Sequence, residues 1–173
     1  MKLLSSPNAE QYYEILLQKL NQYQLKHKFQ LVGIASGGAL LAQRLAKDLG
    51  LESYGVVNSS FHRDDYGQKG VKVFKSSGIE MATKLPFEVD GSHIMLVDDV
   101  LDTGRSIRAA VNEIFDYGRP ARIDLAVLVD RHRRHLPIEP TFKGGDIDLP
   151  DHQILVLQHT NENHFNFNVE NLI

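Results

Sequence analysis

The sequence predicts an α/β fold built on a mostly parallel sheet. Three observations carry this. Short apolar runs at 31–35, 54–58, 94–97, 123–129 and 154–157 alternate with amphipathic helical stretches. Glycine turns stand where strands hand over to helices, at Ser36-Gly37-Gly38 and at Thr103-Gly104. The 173 residues fit one domain and bury a core without staples, which the absence of cysteine would in any case deny them.

Each element has a local reason. Asn8 caps a helix starting at Ala9, in which Tyr12, Tyr13, Leu16, Leu17 and Leu20 recur at helical spacing to about Lys26. This stripe reads as core. Leu31–Ala35 is a strand, and Ser36-Gly37-Gly38 turns it into a helix over Ala39–Leu49 that Gly50 stops. Tyr54–Asn58 is the next strand. Residues 61–92 are polar, contain four glycines and show only short β-like pieces such as Val71–Phe74. They read as an exposed, flexible arm. Ile94–Val97 is a buried-type strand followed by Asp98-Asp99. Thr103-Gly104 opens a helix through Tyr117, closed by Gly118 and Pro120. Ile123–Val129 and Ile154–Leu157 are the remaining clear strands, and 158–173 reads as a C-terminal tail.

Composition excludes several functions. Without cysteine there are no disulfides, thiolate zinc sites or thiol nucleophiles. A net charge of −3 argues against a wholly nucleic-acid-binding surface, though a local basic patch at 131–135 remains. No apolar run approaches a membrane span, and the first residues lack the apolar stretch of a signal peptide. A cytoplasmic protein with no membrane partner is expected.

The segment with chemical content is 94–106. A buried strand delivers two carboxylates to its C-terminal end, and parallel sheets bind ligands at that end. Thr103, Gly104 and Ser106 then open a helix whose first N–H groups can cradle a phosphate. A ribose 5-phosphate fits, with Asp98 and Asp99 accepting from the 2- and 3-hydroxyls.

The thirteen residues Ile94 to Ser106 resemble the phosphoribosyl pyrophosphate (PRPP) motif of type I phosphoribosyltransferases. Downstream, Gly118-Arg119-Pro120, Ile123–Arg131 and Arg134-His135-Leu136-Pro137-Ile138 are similar to the PyrR family, pyrimidine-operon attenuation regulators that are also uracil phosphoribosyltransferases. Phe61-His62-Arg63-Asp64-Asp65 resembles that family's stretch before its flexible loop. The resemblance spans roughly residues 9–150. It implies transfer of phosphoribosyl from PRPP to uracil, giving UMP and pyrophosphate. It implies Asp98, Asp99, Asp102 and Arg63 as catalytic candidates, and Val100, Leu101, Thr103, Gly104, Arg105 and Ser106 around the 5-phosphate. Ser36, Gly37 and Gly38 would form the pyrophosphate loop, and Val129, Asp130 and Arg131 would face the base. Mg²⁺ would arrive with PRPP near Asp98 and Asp99, without direct protein ligands. A homo-oligomer is also implied.

Three departures from the family bear on function. Ser36-Gly37-Gly38 lacks the arginine usual in this loop, so pyrophosphate contact rests more on backbone N–H groups. Asp102 replaces a tyrosine; an acid there is typical of hypoxanthine-guanine phosphoribosyltransferases, where it is the candidate base, but it also suits a helix entry. The stretch Glu139–Asp146, basic in PyrR proteins and implicated in RNA contact, carries only Lys143 against two acids. RNA binding is therefore expected to be weak. Three readings stay open: uracil phosphoribosyltransferase, UMP/UTP-sensing RNA-binding regulator, and hypoxanthine or guanine phosphoribosyltransferase. His132 and His135 are not expected to be metal ligands, since the neighbouring arginines repel a cation and no carboxylate or cysteine completes a ligand set.

Overall fold

The computed structural model describes residues 7–64, 82–160 and 163–172. Five parallel strands form the central sheet: β1 (Gln30–Ile34), β2 (Gly55–Val57), β3 (His93–Leu101), β4 (Arg122–Asp130) and β5 (Phe142–Asp146), in the order β2-β1-β3-β4-β5. Helices α1 (Ala9–Gln24) and α2 (Gly37–Asp48) pack on one face, and α3 (Arg105–Phe115) on the other. β3 and β4 are buried on both faces, which explains their continuous apolar runs. Among the described residues no helix is long and apolar enough to cross a membrane.

The order places a topological switch between β1 and β3. The chain leaves β1 toward β2 on one side and returns to β3 on the other. A crevice therefore opens at the carboxyl ends of β1 and β3, where such sheets bind ligands. Ser36-Gly37-Gly38 follows β1, and Asp98-Asp99 lies at that end of β3.

The expected strand at 94–97 is longer in the structure. It continues through both aspartates to Leu101, because β4 offers an equally long partner with Val100 opposite Val129 and Leu101 opposite Asp130. The two carboxylates thus sit on a paired strand and not in the loop.

Two elements were not expected. β5 is an edge strand whose sequence, FKGGD, shows no alternation. The tail, beyond the strand expected at 154–157, forms an antiparallel hairpin of β6 (Gln153–His159) and β7 (Phe165–Asn171). Phe165, Phe167 and Val169 alternate along β7, and Phe165 is fully buried against Tyr13 of α1 with ring centroids 5.6 Å apart. Arg44 lies over the Tyr13 ring at 3.9 Å and holds Glu10 bidentately at 2.6 and 2.9 Å. Glu10 in turn accepts from the Phe165 N–H at 2.5 Å, tying α1, α2 and the hairpin together.

Tyr13 donates its hydroxyl to Asp48 at 2.6 Å. Burial, then the Asp48 carboxylate, push the Tyr13 hydroxyl far above its ordinary range, so it stays a donor. Tyr13→Phe is expected to cost about 1 kcal/mol, the worth of one such hydrogen bond. Urea unfolding measures this, with an unchanged slope as the check on two-state behaviour.

Part of the expected arm is packed. Leu85, Phe87 and Val89 alternate and cover the α3 face of the sheet, and Lys84 forms a bridge with Val56. Residues 65–81, which include most of that arm and the strand expected at Val71–Phe74, lie outside the described residues.

Candidate active site

The centre of the site is the Asp98–Asp99 pair. Asp98 is buried and accepts from the Asp99 N–H at 2.9 Å, while Asp99 accepts from the Val100 N–H at 2.8 Å. Burial, and next the negative charge of Asp99, push Asp98 well above the ordinary carboxylate range. Arg63 acts in the opposite direction, so its guanidinium lies close enough to be felt by Asp98. Enclosure also raises Asp99, against the hydrogen bonds that stabilise its charge. Negative charge on the pair is therefore costly to keep in the ligand-free site.

The loop after β1 is pressed onto this pair. A Cβ on Gly37 would overlap the Asp99 carboxylate, with Cγ at 2.7 Å. One on Gly38 would overlap the Val97 carbonyl, with the Asp98 Cα at 3.1 Å. No other residue type lets α2 begin so near β3, which brings the first N–H groups of α2 to the crevice.

On the far side of the pair, Val100 and Leu101 complete β3, and the chain turns through Asp102, Thr103 and Gly104 into α3. Gly104 has φ +91°, a conformation in which glycine is unstrained, and as the N-cap of α3 it makes no side-chain cap bond. The Thr103 hydroxyl takes the first helical N–H, that of Arg105, at 3.3 Å, and the N–H groups that follow it are left for an anion. The Arg105 side chain contacts Asp64. Ser106 lies in the same turn, partly exposed.

The residues expected at the base end are enclosed. Val129 and Asp130 have no exposed surface, and the Arg131 side chain is 2% exposed. Burial pushes Asp130 up, but Arg134, bidentate at 2.8 and 2.7 Å, and the His132 N–H overrule it and hold it below the usual range. Arg131 donates to the carbonyls of Gln153 at 3.0 Å and Leu149 at 3.1 Å. These side chains are buried among their own neighbours and present no open face.

Asp102 is not free. Arg133 grips it bidentately, Nε on Oδ1 at 2.8 Å and Nη2 on Oδ2 at 2.6 Å, and Arg131 lies 3.5 Å from Oδ2. One expectation needs correcting. Pairing of β4 with β5 brings Asp146, 14 residues further on, to His132 at 2.6 Å, beside Asp130, two residues before it, at 3.7 Å. The three could hold a metal ion, as could His62 with Glu113 and Asp116. Only pairing between β4 and β5 reveals the first set, and β5 has no readable strand pattern.

A carboxylate pair, a glycine loop against it and a glycine-led helix start, all at one switch point, suit a phosphoribosyl-group transferase. Comparison agrees: the phosphoribosyl transferase domain model matches residues 2–159, and the chain belongs to that family, in its PyrR branch. It is 54% identical to the bifunctional protein PyrR of Ralstonia nicotianae over 134 residues, 78% of this chain and 74% of that one. It is 45% identical to the bifunctional protein PyrR of Pseudomonas entomophila, over 72% and 70% of the two chains. Solved structures share the fold. A hypoxanthine-guanine phosphoribosyltransferase from Bacillus anthracis superposes with TM-score 0.63 at 15% identity, over 90% of this chain and 88% of that one. A hypoxanthine phosphoribosyltransferase from Staphylococcus aureus gives 0.62 at 20%, over 88% and 81%.

Proposed function

We propose that this protein transfers the phosphoribosyl group of PRPP to uracil, forming UMP and pyrophosphate. The observation that carries this is the convergence of Asp98 and Asp99, the Ser36–Gly38 loop and the glycine-led start of α3 on one crevice. N1 of uracil forms its bond to the anomeric carbon as the bond to pyrophosphate oxygen breaks, and the N1 proton leaves to solvent. Asp98 and Asp99 accept from the ribose hydroxyls, and the turn from Thr103 to Ser106 holds the 5-phosphate. Backbone N–H groups of Ser36, Gly37 and Gly38, with Arg63, receive the departing charge. Two adjacent carboxylates at the crevice suit a PRPP that carries Mg²⁺, whose chemistry would be to neutralise pyrophosphate charge. Uracil is favoured over purines by the likeness to the PyrR proteins and by the commitment of both Asp102 oxygens to Arg133.

PRPP-dependent nucleotide formation with uracil, hypoxanthine, guanine and xanthine side by side tests the reading. Uracil is expected to exceed each purine by at least about tenfold, a difference of about 1.4 kcal/mol at the transition state. A purine that matches it overturns the assignment.

RNA binding through the 131–135 strip is disfavoured by pairing. Arg131 serves backbone carbonyls, Arg133 serves Asp102 and Asp151, and Arg134 serves Asp130. Cations already paired gain less from phosphates, which supply most RNA affinity. The expected dissociation constant for a pyrimidine-operon leader hairpin at physiological salt with UMP is micromolar or weaker. A filter-binding assay against an unrelated hairpin checks it, and specific sub-micromolar binding defeats the expectation.

A further inference from the structure

We propose that Asp102 is a positioning residue: through Arg133 it latches the PRPP turn to the segment 149–153, and so fixes the base end of the site, without taking a proton. The inference rests on the reading of this crevice as a phosphoribosyl-transfer site. Arg133 spans two regions. Its Nε and Nη2 hold Asp102, beside Thr103, and its Nη1 donates to Asp151 at 2.8 Å, just before β6. Arg131 repeats the connection one step deeper. Its guanidinium lies 3.5 Å from Asp102 and donates to the carbonyls of Leu149, Pro150 and Gln153. Arg134 donates to the Asp102 carbonyl at 3.0 Å. Three guanidinium groups thus converge on one residue of the PRPP turn.

The chemistry follows from geometry. A carboxylate whose two oxygens each accept from one planar guanidinium is held in a fixed orientation, and this bidentate match is the strongest ion-pair arrangement available to it. To serve as a proton acceptor it would have to leave that partner. The Arg131 Nε is a buried side-chain donor with no hydrogen-bond partner, so this guanidinium is held by its other nitrogens and by the Asp102 charge. Loosening Asp102 therefore releases Arg133 and weakens the hold on Arg131 together. Segment 149–153, which leads into the β6–β7 hairpin, loses its tie through Asp151 and keeps a looser one through Arg131.

The test is a double-mutant cycle with Asp102→Asn, Arg133→Ala and the pair combined. As a latch, each single variant raises KM for uracil by about tenfold, the worth of one charge-assisted bond, with a smaller fall in kcat. The combined variant is then no worse than either single one, because both remove the same interaction. Arg133→Lys recovers part of the loss. A collapse of kcat in Asp102→Asn while Arg133→Ala keeps its kcat would make Asp102 a proton acceptor and overturn the proposal. Amide exchange of residues 149–158 without substrate separates this from the choice of base. It should quicken in Asp102→Asn and Arg133→Ala alike, even if uracil proves not to be the acceptor. Unchanged exchange in both variants refutes the latch.

Discussion

Asp98→Asn is expected to lower kcat/KM for PRPP by about 10- to 150-fold while making the ligand-free protein more stable. The activity loss follows from removing a charged acceptor at the ribose, worth about 1.5–3 kcal/mol. The stability gain follows from the direction of the Asp98 shift. Burial and the adjacent Asp99 push its carboxyl well above the ordinary value of 3.8. Between that value and the raised one, the folded state binds the proton more tightly than the unfolded chain does. Stability is therefore full below about pH 4 and falls as pH rises through the raised value. Asparagine has the same shape and no charge to bury, so this decline disappears in the variant. Asp99→Asn should share the activity loss and the direction of the stability change, since burial raises its carboxyl too. Urea unfolding at several pH values, beside steady-state kinetics, reads both effects. Near wild-type kcat/KM in both variants would remove the pair from the site, and a parallel pH decline in Asp98→Asn would remove its charge as the cause.

The sheet and the PRPP turn were legible because both rest on local signals. Buried parallel strands must be apolar on both faces, so β3 and β4 announce themselves. Glycine and hydroxyls at the start of a helix are likewise a local pattern, so the turn at 103–106 does too. What stayed hidden depends on pairing across the chain. Phe142–Asp146 is a strand because β4 lends it a hydrogen-bonding edge, and its own residues carry no alternation. The Asp102–Arg133 grip joins residues 31 apart in sequence. From sequence alone Asp102 reads equally as a base or a helix-entry acid, and only the position of the arginine tells what its oxygens do. The tail could have been read further: Phe165, Phe167 and Val169 alternate as an inward-facing strand should, and so do Leu85, Phe87 and Val89 in the segment taken for an exposed arm.

The neighbouring glycines of the β1–α2 loop should separate catalysis from folding. At Gly37, an added methyl meets the end of a side chain, the Asp99 carboxylate. That group can swing away, so Gly37→Ala should fold, but with Asp99 displaced from the ribose. A misplacement of about 1 Å at a reacting centre can cost on the order of 100-fold in rate. At Gly38, the methyl meets the Val97 carbonyl, part of the β3 backbone. That oxygen cannot rotate aside, so α2 must shift from the sheet, and overpacking of this kind costs about 1–3 kcal/mol. Gly37→Ala is thus expected to lose about 100-fold in kcat/KM for PRPP with a nearly unchanged unfolding midpoint. Gly38→Ala should lower the midpoint clearly. Combining Gly37→Ala with Asp99→Asn supplies the internal control. Once the carboxylate charge is gone, displacing it matters less, so the two losses should fall well short of multiplying. Full multiplication would show that Gly37 acts on the site by some route other than Asp99.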